Sequence, residues 1–600
     1  MDTIMKKIFK FFAIALSVAT ALVSCDLSEY NPNEYTAELA FGSAEAIQQA
    51  VNPFYFVFPS VTGAYSQEGS VDYVCTPFGF SDRFCVGYSA ANSDMDWGGW
   101  DDLRSINYFL EQMNGPACGV QGAVWSNFVG QGRFFRAFWY YKKMRSYGDL
   151  PWVDHVIRSD EPDYEWQDRT SRDEIMKHIL EDLDYAIENV TATSVDNTTI
   201  TKDVCLFVKM QACLYEASFR KYNNVTTSVK GEPFTNYTVE QLYTLSAEAA
   251  EQIISSGKYS LVPNYRDLFL SEKLQTQEVL LGAQTASIVK GSQNNYYNSA
   301  GTNRSFVRNF INTFLMKDGT PYTAKSGFET ETFATEFNNR DPRLSAIVRS
   351  PGYVFNGAVS VPVIPAPSPV GYHIIKFTVD KYADNDDDSH GNNNLNSTPV
   401  YRYAEVLLSY AEAKAELGQM TSSVWDSTVG AIRRRAGITG NLNMPTTVDS
   451  YLKANFYPNV TDAAIMEIRR ERACELCLEG TRANDLLRWG CGSLLATQPW
   501  TGINIPALDT PVDLDGNGTA DYYFSASAAP SDLPASVTYV PVNGNGLQAV
   551  ANGSVYQLRF DCNKQRNWDS NNRLILAPIP QLLIDKYKNR GYTLTQNPGY

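Results

Sequence analysis

The stretch from Asp513 to Asp521 holds the clearest ligand-binding chemistry in the chain. Asp513, Asp515, Asn517 and Asp521 place side-chain oxygens at positions 1, 3, 5 and 9 of a calcium-type loop, with Gly518 at position 6 for the turn. Position 12 is Phe524, so the bidentate glutamate of a full EF-hand is missing. A calcium-stabilised surface loop and a plain Asp/Asn/Gly turn both fit these residues, and either role is structural. Catalytic chemistry finds no comparable foothold. The chain has no G-x-S-x-G, no H-E-x-x-H and no glycine loop built to cradle phosphate. Glu405 and Glu412 share a helix face, where solvated or paired structure explains them better than a glycosidase dyad. A dyad assembled from distant loops stays open on motifs alone.

The cysteines do not form a disulfide framework. Nine of the 10 follow Cys25, an odd number, and Cys205, Cys213, Cys474 and Cys477 fall inside helical stretches. Cys474 and Cys477 have C-x-x-C spacing, but no second pair or histidine follows at zinc-site distance. Buried small thiols are the better reading. Cys75 and Cys85, flanking a loop, are the one pair to consider for a bridge.

Aromatic residues make up 13% of the chain, with 36 Tyr, which suits stacking on flat, weakly polar ligands as well as a tyrosine-rich core. Many of them crowd the long irregular stretch Ser60 to Asp102, among them Tyr73, Phe78, Phe80, Phe84, Tyr88, Trp97 and Trp100. Loops of that length in a compact protein are functional or disordered, and this aromatic load argues against disorder. A net charge of -16 argues against nucleic acid as a partner, and the 44% hydrophobic fraction is ample for a large core. At the N-terminus, Lys6, Lys7 and Lys10 precede an apolar run from Phe11 to Val23, a signal-peptide pattern too short for the roughly 20 residues of a membrane-spanning helix. The run ends Leu22-Val23-Ser24-Cys25, which resembles the bacterial lipoprotein cleavage box and makes Cys25 the expected lipidation site after removal of residues 1–24.

The elements that position these residues are mostly helices. Pro399 to Gly418 carries Ala404, Leu407, Leu408, Ala411 and Ala415 as one apolar stripe at helical period, with small residues that let a second helix lie close. On its surface Arg402 and Glu405, three apart, are placed to pair. Ile465 to Gly490 reads as a helix stopped by Gly480 and a short second one capped by Thr481. Its Arg472, Glu475, Glu479, Arg482, Asp485 and Arg488 sit among leucines and a tryptophan, so pairing and capping are their expected role. Helices are also expected at Ala44 to Phe56 and Leu103 to Met113. The rest group in pairs: 123–147 with 171–190, 203–222 with 239–257, 401–418 with 424–436, and 461–479 with 482–489. Paired helices with small residues at the crossings predict a mostly α fold, a tetratricopeptide-like helix-pair scaffold with long loops and short β segments packed on it.

The runs R-Y-A-E-V-L-L-x-Y-A-E-A (from Arg402) and E-R-x-x-E-L-x-x-E-G-x-R-x-x-D-L-x-R-W-G (to Gly490) together resemble the signature of the SusD/RagB family. Further similarities are G-Q-G-R-F-F-R-A leading to Y-G-D-L-P at Pro151, R-D-P-R-L at 340–344, and the closing Q-N-P-G-Y. Where the family carries an aromatic pair after the arginine, this chain has Ala483 and Asn484, which predicts looser packing there. Gln131 stands where glutamate is usual. The resemblance runs from Cys25 to Tyr600, an N-terminal region 25–275 and a C-terminal region 276–600 forming one compact unit.

The resemblance implies a non-enzymatic, lipid-anchored protein on the outer face of the outer membrane. Such a protein binds oligosaccharide and delivers it to a SusC-like TonB-dependent transporter, with no required cofactor. Asp26 and Glu29, directly after Cys25, are similar to the surface-export signal of such lipoproteins. Family sites come from the early loop and the segment between helix pairs, here 73–100 and 292–322. Within them Trp97 and Trp100, Tyr296 and Tyr297 as an opposite wall, and Arg83, Asn294 and Asn298 as hydroxyl partners are the expected glycan contacts. A surface glycoside hydrolase and a peptide-binding member of the family are the alternatives.

Overall fold

Oxygen-bearing side chains placed one step ahead of apolar runs start most of the long helices. The computed structural model of the protein describes residues 36–59, 68, 71–76, 82–92, 97–284, 304–381, 396–544, 546–561, 566–569 and 573–600. Helix α1 (Trp100–Met113) begins behind Gly99, whose φ of 77° is left-handed and free of strain only for glycine. Helix α2 (Gly122–Tyr147) ends at Gly148, and α3 (Arg172–Asn189) is capped by Ser171. Thr201 accepts from the Val204 N–H to start α4 (Lys202–Asn223), and Thr238 with Gln241 forms a capping box on α5 (Val239–Ser255). Helix α6 (Tyr403–Glu416) follows a strand, α7 (Ala463–Glu475) is capped by Asp462, and α8 (Arg482–Arg488) is the short helix after it.

Each long helix packs on the next, from α1 against α2 through to α6 against α7, as a tetratricopeptide-like stack requires. The first two expected pairs form, α2 with α3 and α4 with α5. The third is present in altered form: the second member is interrupted by a π turn at Asp426–Gly430, which packs on α6. The fourth is corrected. Helix α7 lies along α6 while α8 packs on α4, because α7 ends at Glu475, well before Gly480, and Leu478 at φ 63° turns the chain away. Thr481 holds the N-cap position of α8 without using its hydroxyl. Ala404, Leu407, Leu408 and Ala411 are buried against Trp425, Val429, Ile432 and Ile468, so the apolar stripe is the seam it was read to be.

Short strands pack on this stack. Strands β1 (Val74–Cys75), β2 (Val279–Ala283), β3 (Ser305–Phe306), β4 (Tyr372–His373) and β5 (Thr398–Arg402) make two antiparallel sheets, β1-β3-β4 and β2-β5. In the second, Val279 faces Arg402, so 398–402 is strand and α6 starts only at Tyr403. The surface pair Arg402–Glu405 is therefore not formed. Arg402 points inward to Glu278, Glu475 and Glu479, and Glu405 accepts from Gln211 instead. Strands β6 (Thr501–Ile505), β7 (Pro511–Val512), β8 (Tyr522–Ser525), β9 (Thr538–Pro541), β10 (Leu547–Asn552) and β11 (Val555–Phe560) form two further three-stranded sheets around the C-terminal core. The N-terminal core holds Leu280, Tyr401 and Ile579 beside residues of α1 to α5, so packing runs across the 275/276 division.

Candidate ligand-binding surface

The end of the early aromatic loop is fastened to α2. The Trp139 indole N–H donates to the Gly99 carbonyl at 3.0 Å, and the Lys143 ammonium donates to the Gly98 carbonyl at 2.6 Å. Trp97 then stands edge-on to Tyr147 with ring centroids 5.0 Å apart and tilts against Trp100 at 5.6 Å. Trp100, the first residue of α1, packs on Trp139 at 4.9 Å. Both tryptophans are half-buried and pack against the N-terminal core, and the Trp100 indole nitrogen is buried without a partner. The polar setting of Trp97 in the sequence suggested a ring standing clear of the core, whereas the structure gives it a packed base. A ring packed against neighbours has its rotamer fixed before a ligand arrives, which lowers the ordering cost of stacking on a pyranose.

Arg83 is set differently. Its guanidinium lies over Phe84 at 5.1 Å and donates to the Ile575 carbonyl at 3.4 Å, with Nε buried and unpartnered. Burial pulls its pKa below the usual arginine range, and nearby tyrosines oppose that shift. Neighbouring Asp82 accepts from the Phe84 N–H and pairs with Arg566, and Phe84 stacks on Trp568. No disulfide joins Cys75 to Cys85, so the bridge considered between them is absent. Asn294, Tyr296, Tyr297 and Asn298, the expected opposite wall, lie outside the described residues, as does Cys25.

The Asp513 loop brings three carboxylates together. Oxygens of Asp513, Asp515 and Asp521 lie within 4.8 Å of one another, all half-buried. Asp513 accepts from the backbone N–H groups of Gly516, Asn517 and Gly518, and Asp521 from that of Leu514. Asn517, the fourth expected ligand, turns its oxygen to the Thr519 N–H at 2.8 Å. Burial, followed by the charges of Asp515 and Asp513, raises the Asp521 pKa above the usual carboxylate range. The donor set is hard oxygen, as calcium prefers, and a cation there would relieve the mutual repulsion.

The signature residues form a buried charge lattice. Arg343 joins Asp341, Glu471 and Glu475; Arg402 joins Glu278, Glu475 and Glu479; Arg472 and Arg488 share Asp485; and Arg482 holds Asp72. Glu412 shows the electrostatics. Burial alone would raise its pKa, but the Arg488 fork and the Trp489 N–H hold it down to about 2. The opposite case is Glu68, which burial pushes up to about 7 against the Tyr73 hydroxyl and the Arg482 N–H. That value suits a general acid, yet Glu68 is only 1% exposed. Sequence spacing did not reveal the partnerships of Glu68, Asp72 and Glu278 with the signature. They join residues hundreds of positions apart and carry no local pattern.

A helix stack bearing aromatic loops and a core of paired charges defines a scaffold protein of the tetratricopeptide-like class. Residues 276–600 match the SusD family, and the chain belongs to that family. Among curated relatives it is similar to SusD-like protein P38 of Formosa agariphila, 22% identical over 383 residues that cover 60% of this chain and 66% of that protein. SusD-like protein P2 of the same organism is 24% identical over 385 residues, covering 61% of this chain and 65% of that one. Among solved structures, a SusD-like protein from Bacteroides fragilis superposes with a TM-score of 0.65 at 21% identity, covering 94% of this chain and 98% of that one. A SusD-like carbohydrate binding protein from the same species gives 0.63 at 19%, covering 91% and 98%.

Proposed function

We propose that the chain is a cell-surface glycan-binding lipoprotein, anchored through Cys25 to the outer membrane, that hands oligosaccharide to a TonB-dependent transporter. Membership of the SusD family supports this reading, as does likeness of nearly the whole fold to a protein described as carbohydrate binding. The observation that supports the binding surface is Trp97, half-buried and anchored through Tyr147 and Trp100. Binding stacks that ring on the C–H face of a sugar, which removes apolar surface from water while hydroxyls stay solvated or bonded. No bond is broken. The signature acids Glu412, Glu475 and Asp485 are held by arginines, and Glu68 is buried.

Trp97→Ala tests the surface. A glycan array on the soluble chain lacking residues 1–25 identifies a ligand, and calorimetry then compares the two proteins. Loss of an aromatic anchor commonly costs ~2 kcal/mol or more, so the variant should bind more than about tenfold more weakly while keeping its circular dichroism. The same ligand should be recovered intact after incubation. Unchanged affinity would place the binding surface elsewhere, and shorter products abolished by a single acidic substitution would favour the hydrolase.

A further inference from the structure

Of the two positions where looser packing was expected, Ala483 packs against the C-terminal core, while Asn484 lines a cavity of about 150 Å³ where α2, α4, α6 and the start of α8 meet. Tyr141 and Arg145 of α2, Tyr215 of α4, Tyr401, Glu405 and Asn484 are among its walls. None of its described lining residues belongs to the 82–100 segment.

Charge is matched almost everywhere around it. Arg472 bonds Asp485 at 3.1 Å, Arg488 holds Glu412, and Glu479 takes Arg402 at 2.6 Å. Glu405 accepts from Gln211 at 2.9 Å and lies 3.7 Å from Arg472, while exposed Lys142 donates to the Val57 carbonyl. Arg145 is the exception. Its guanidinium lies over the Tyr141 ring at 4.6 Å, forms no ion pair and donates no hydrogen bond to a described residue, and its Nε is buried without a partner. The Tyr401 hydroxyl and the Asn484 amide also hold no hydrogen bond among the described residues. A half-buried guanidinium without a counter-ion is costly, and its planar fork matches a carboxylate.

We propose that this cavity binds one carboxylate-bearing pyranose, a hexuronic acid unit. Arg145 takes the carboxylate, the Tyr141 and Tyr215 rings, in edge contact at 6.2 Å, form one wall, and Asn484 and the Tyr401 hydroxyl serve its hydroxyls. Size selects a single ring, since the volume is below the ~300–1,000 Å³ of pockets for drug-sized ligands. Charge selects a monoanion: Glu405 and Asp485 line the same cavity and would repel a dianionic phosphate. The site stands apart from the Trp97 surface and does not depend on it.

The test is calorimetric titration of the full soluble chain with sodium D-glucuronate, with D-glucose and sodium chloride as controls. Glucuronate should bind saturably at one site, and glucose at least about tenfold more weakly, since a hydrogen bond to a charged group contributes ~1.5–3 kcal/mol. Arg145→Gln should weaken glucuronate by a similar factor and leave glucose unchanged. Asn484→Phe fills the cavity wall without touching the arginine, and should abolish glucuronate binding with the melting temperature held or raised. Glucuronate binding no tighter than glucose overturns the proposal, as does a folded Asn484→Phe that binds like the parent. Should Arg145→Gln not fold, Asn484→Phe decides alone.

Discussion

Glu68 is one of several buried carboxyls that tie the stability of the fold to pH. Its pKa is raised to about 7 by burial, against 4.5 when free, so the folded state takes up a proton that the unfolded chain releases. Stability from this group is fully present below about pH 4.5 and declines as pH rises through 7, because between those values the native state binds more protons. Glu412 works in the other direction: held to about 2, it contributes stability above about pH 4.5 that is lost as pH falls toward 2. Melting temperature should therefore peak on the acid side of neutrality. Glu68→Gln, which can still face the Tyr73 hydroxyl and accept from the Arg482 N–H, should flatten the decline between pH 4.5 and 7. An unchanged pH profile in that variant would remove Glu68 as its origin. Calcium at Asp513, Asp515 and Asp521 is the second residue-scale expectation. A cation that binds only the folded loop raises apparent stability by RT ln(1 + [L]/Kd). Added calcium should raise the melting temperature, chelator should reverse it, and Asp521→Asn should abolish the response. Indifference to both reagents would leave the plain turn.

At the scale of elements, close approach of helices depends on residues without bulk. A Cβ added at Gly132 of α2 would lie 2.7 Å from Leu110 Cδ2 and 3.0 Å from two carbons of the Phe109 ring, both in α1. Helices α1 and α2 therefore meet at backbone distance there. Gly132→Val should lose on the order of 1–3 kcal/mol by overpacking, seen as a lowered denaturant midpoint at an unchanged slope. A midpoint equal to the parent's would mean that α1 shifts freely. Much of this architecture was legible in the sequence, because α3 to α5 each combine a period near 3.6 with a recognisable cap, such as Thr238 and Gln241, while α2, buried nearly all round, is marked by its family-like run and the stop at Gly148. What was not legible is long-range. Residues 398–402 contain Pro399, which donates nothing to a ladder, and lead straight into a helical run, so nothing local shows that they pair with β2 as a strand. The same holds for α7 and α8, adjacent in sequence yet packed on α6 and α4. The aromatic loop was recognisable as a site by composition, but which faces of Trp97 and Trp100 are covered depends on Trp139 and Tyr147, some 40 residues along and on another element.

For the whole molecule the remaining question is what holds it at a surface. No helix among the described residues is long and apolar enough to cross a membrane. Cys25 lies outside those residues, and the expectation of an anchor rests on its sequence context, a small residue before it and an apolar run of 13 before that. A single acyl chain gives only marginal, reversible attachment, so stable anchoring needs the several chains of a bacterial lipoprotein. This matters for the proposed handover. A free binding protein carries its ligand away by diffusion, whereas a tethered one stays at high effective concentration beside a transporter in the same membrane. Cys25→Ala should therefore move the protein from the outer-membrane pellet to the soluble fraction and end incorporation of labelled palmitate. Its affinity for glycan in solution should be unchanged, since Trp97 of the proposed binding surface is distant from Cys25 in sequence. Growth on that glycan should fall even so, because capture would no longer be coupled to uptake. A variant that still pellets with the outer membrane and still takes up palmitate would show that Cys25 is not the anchor.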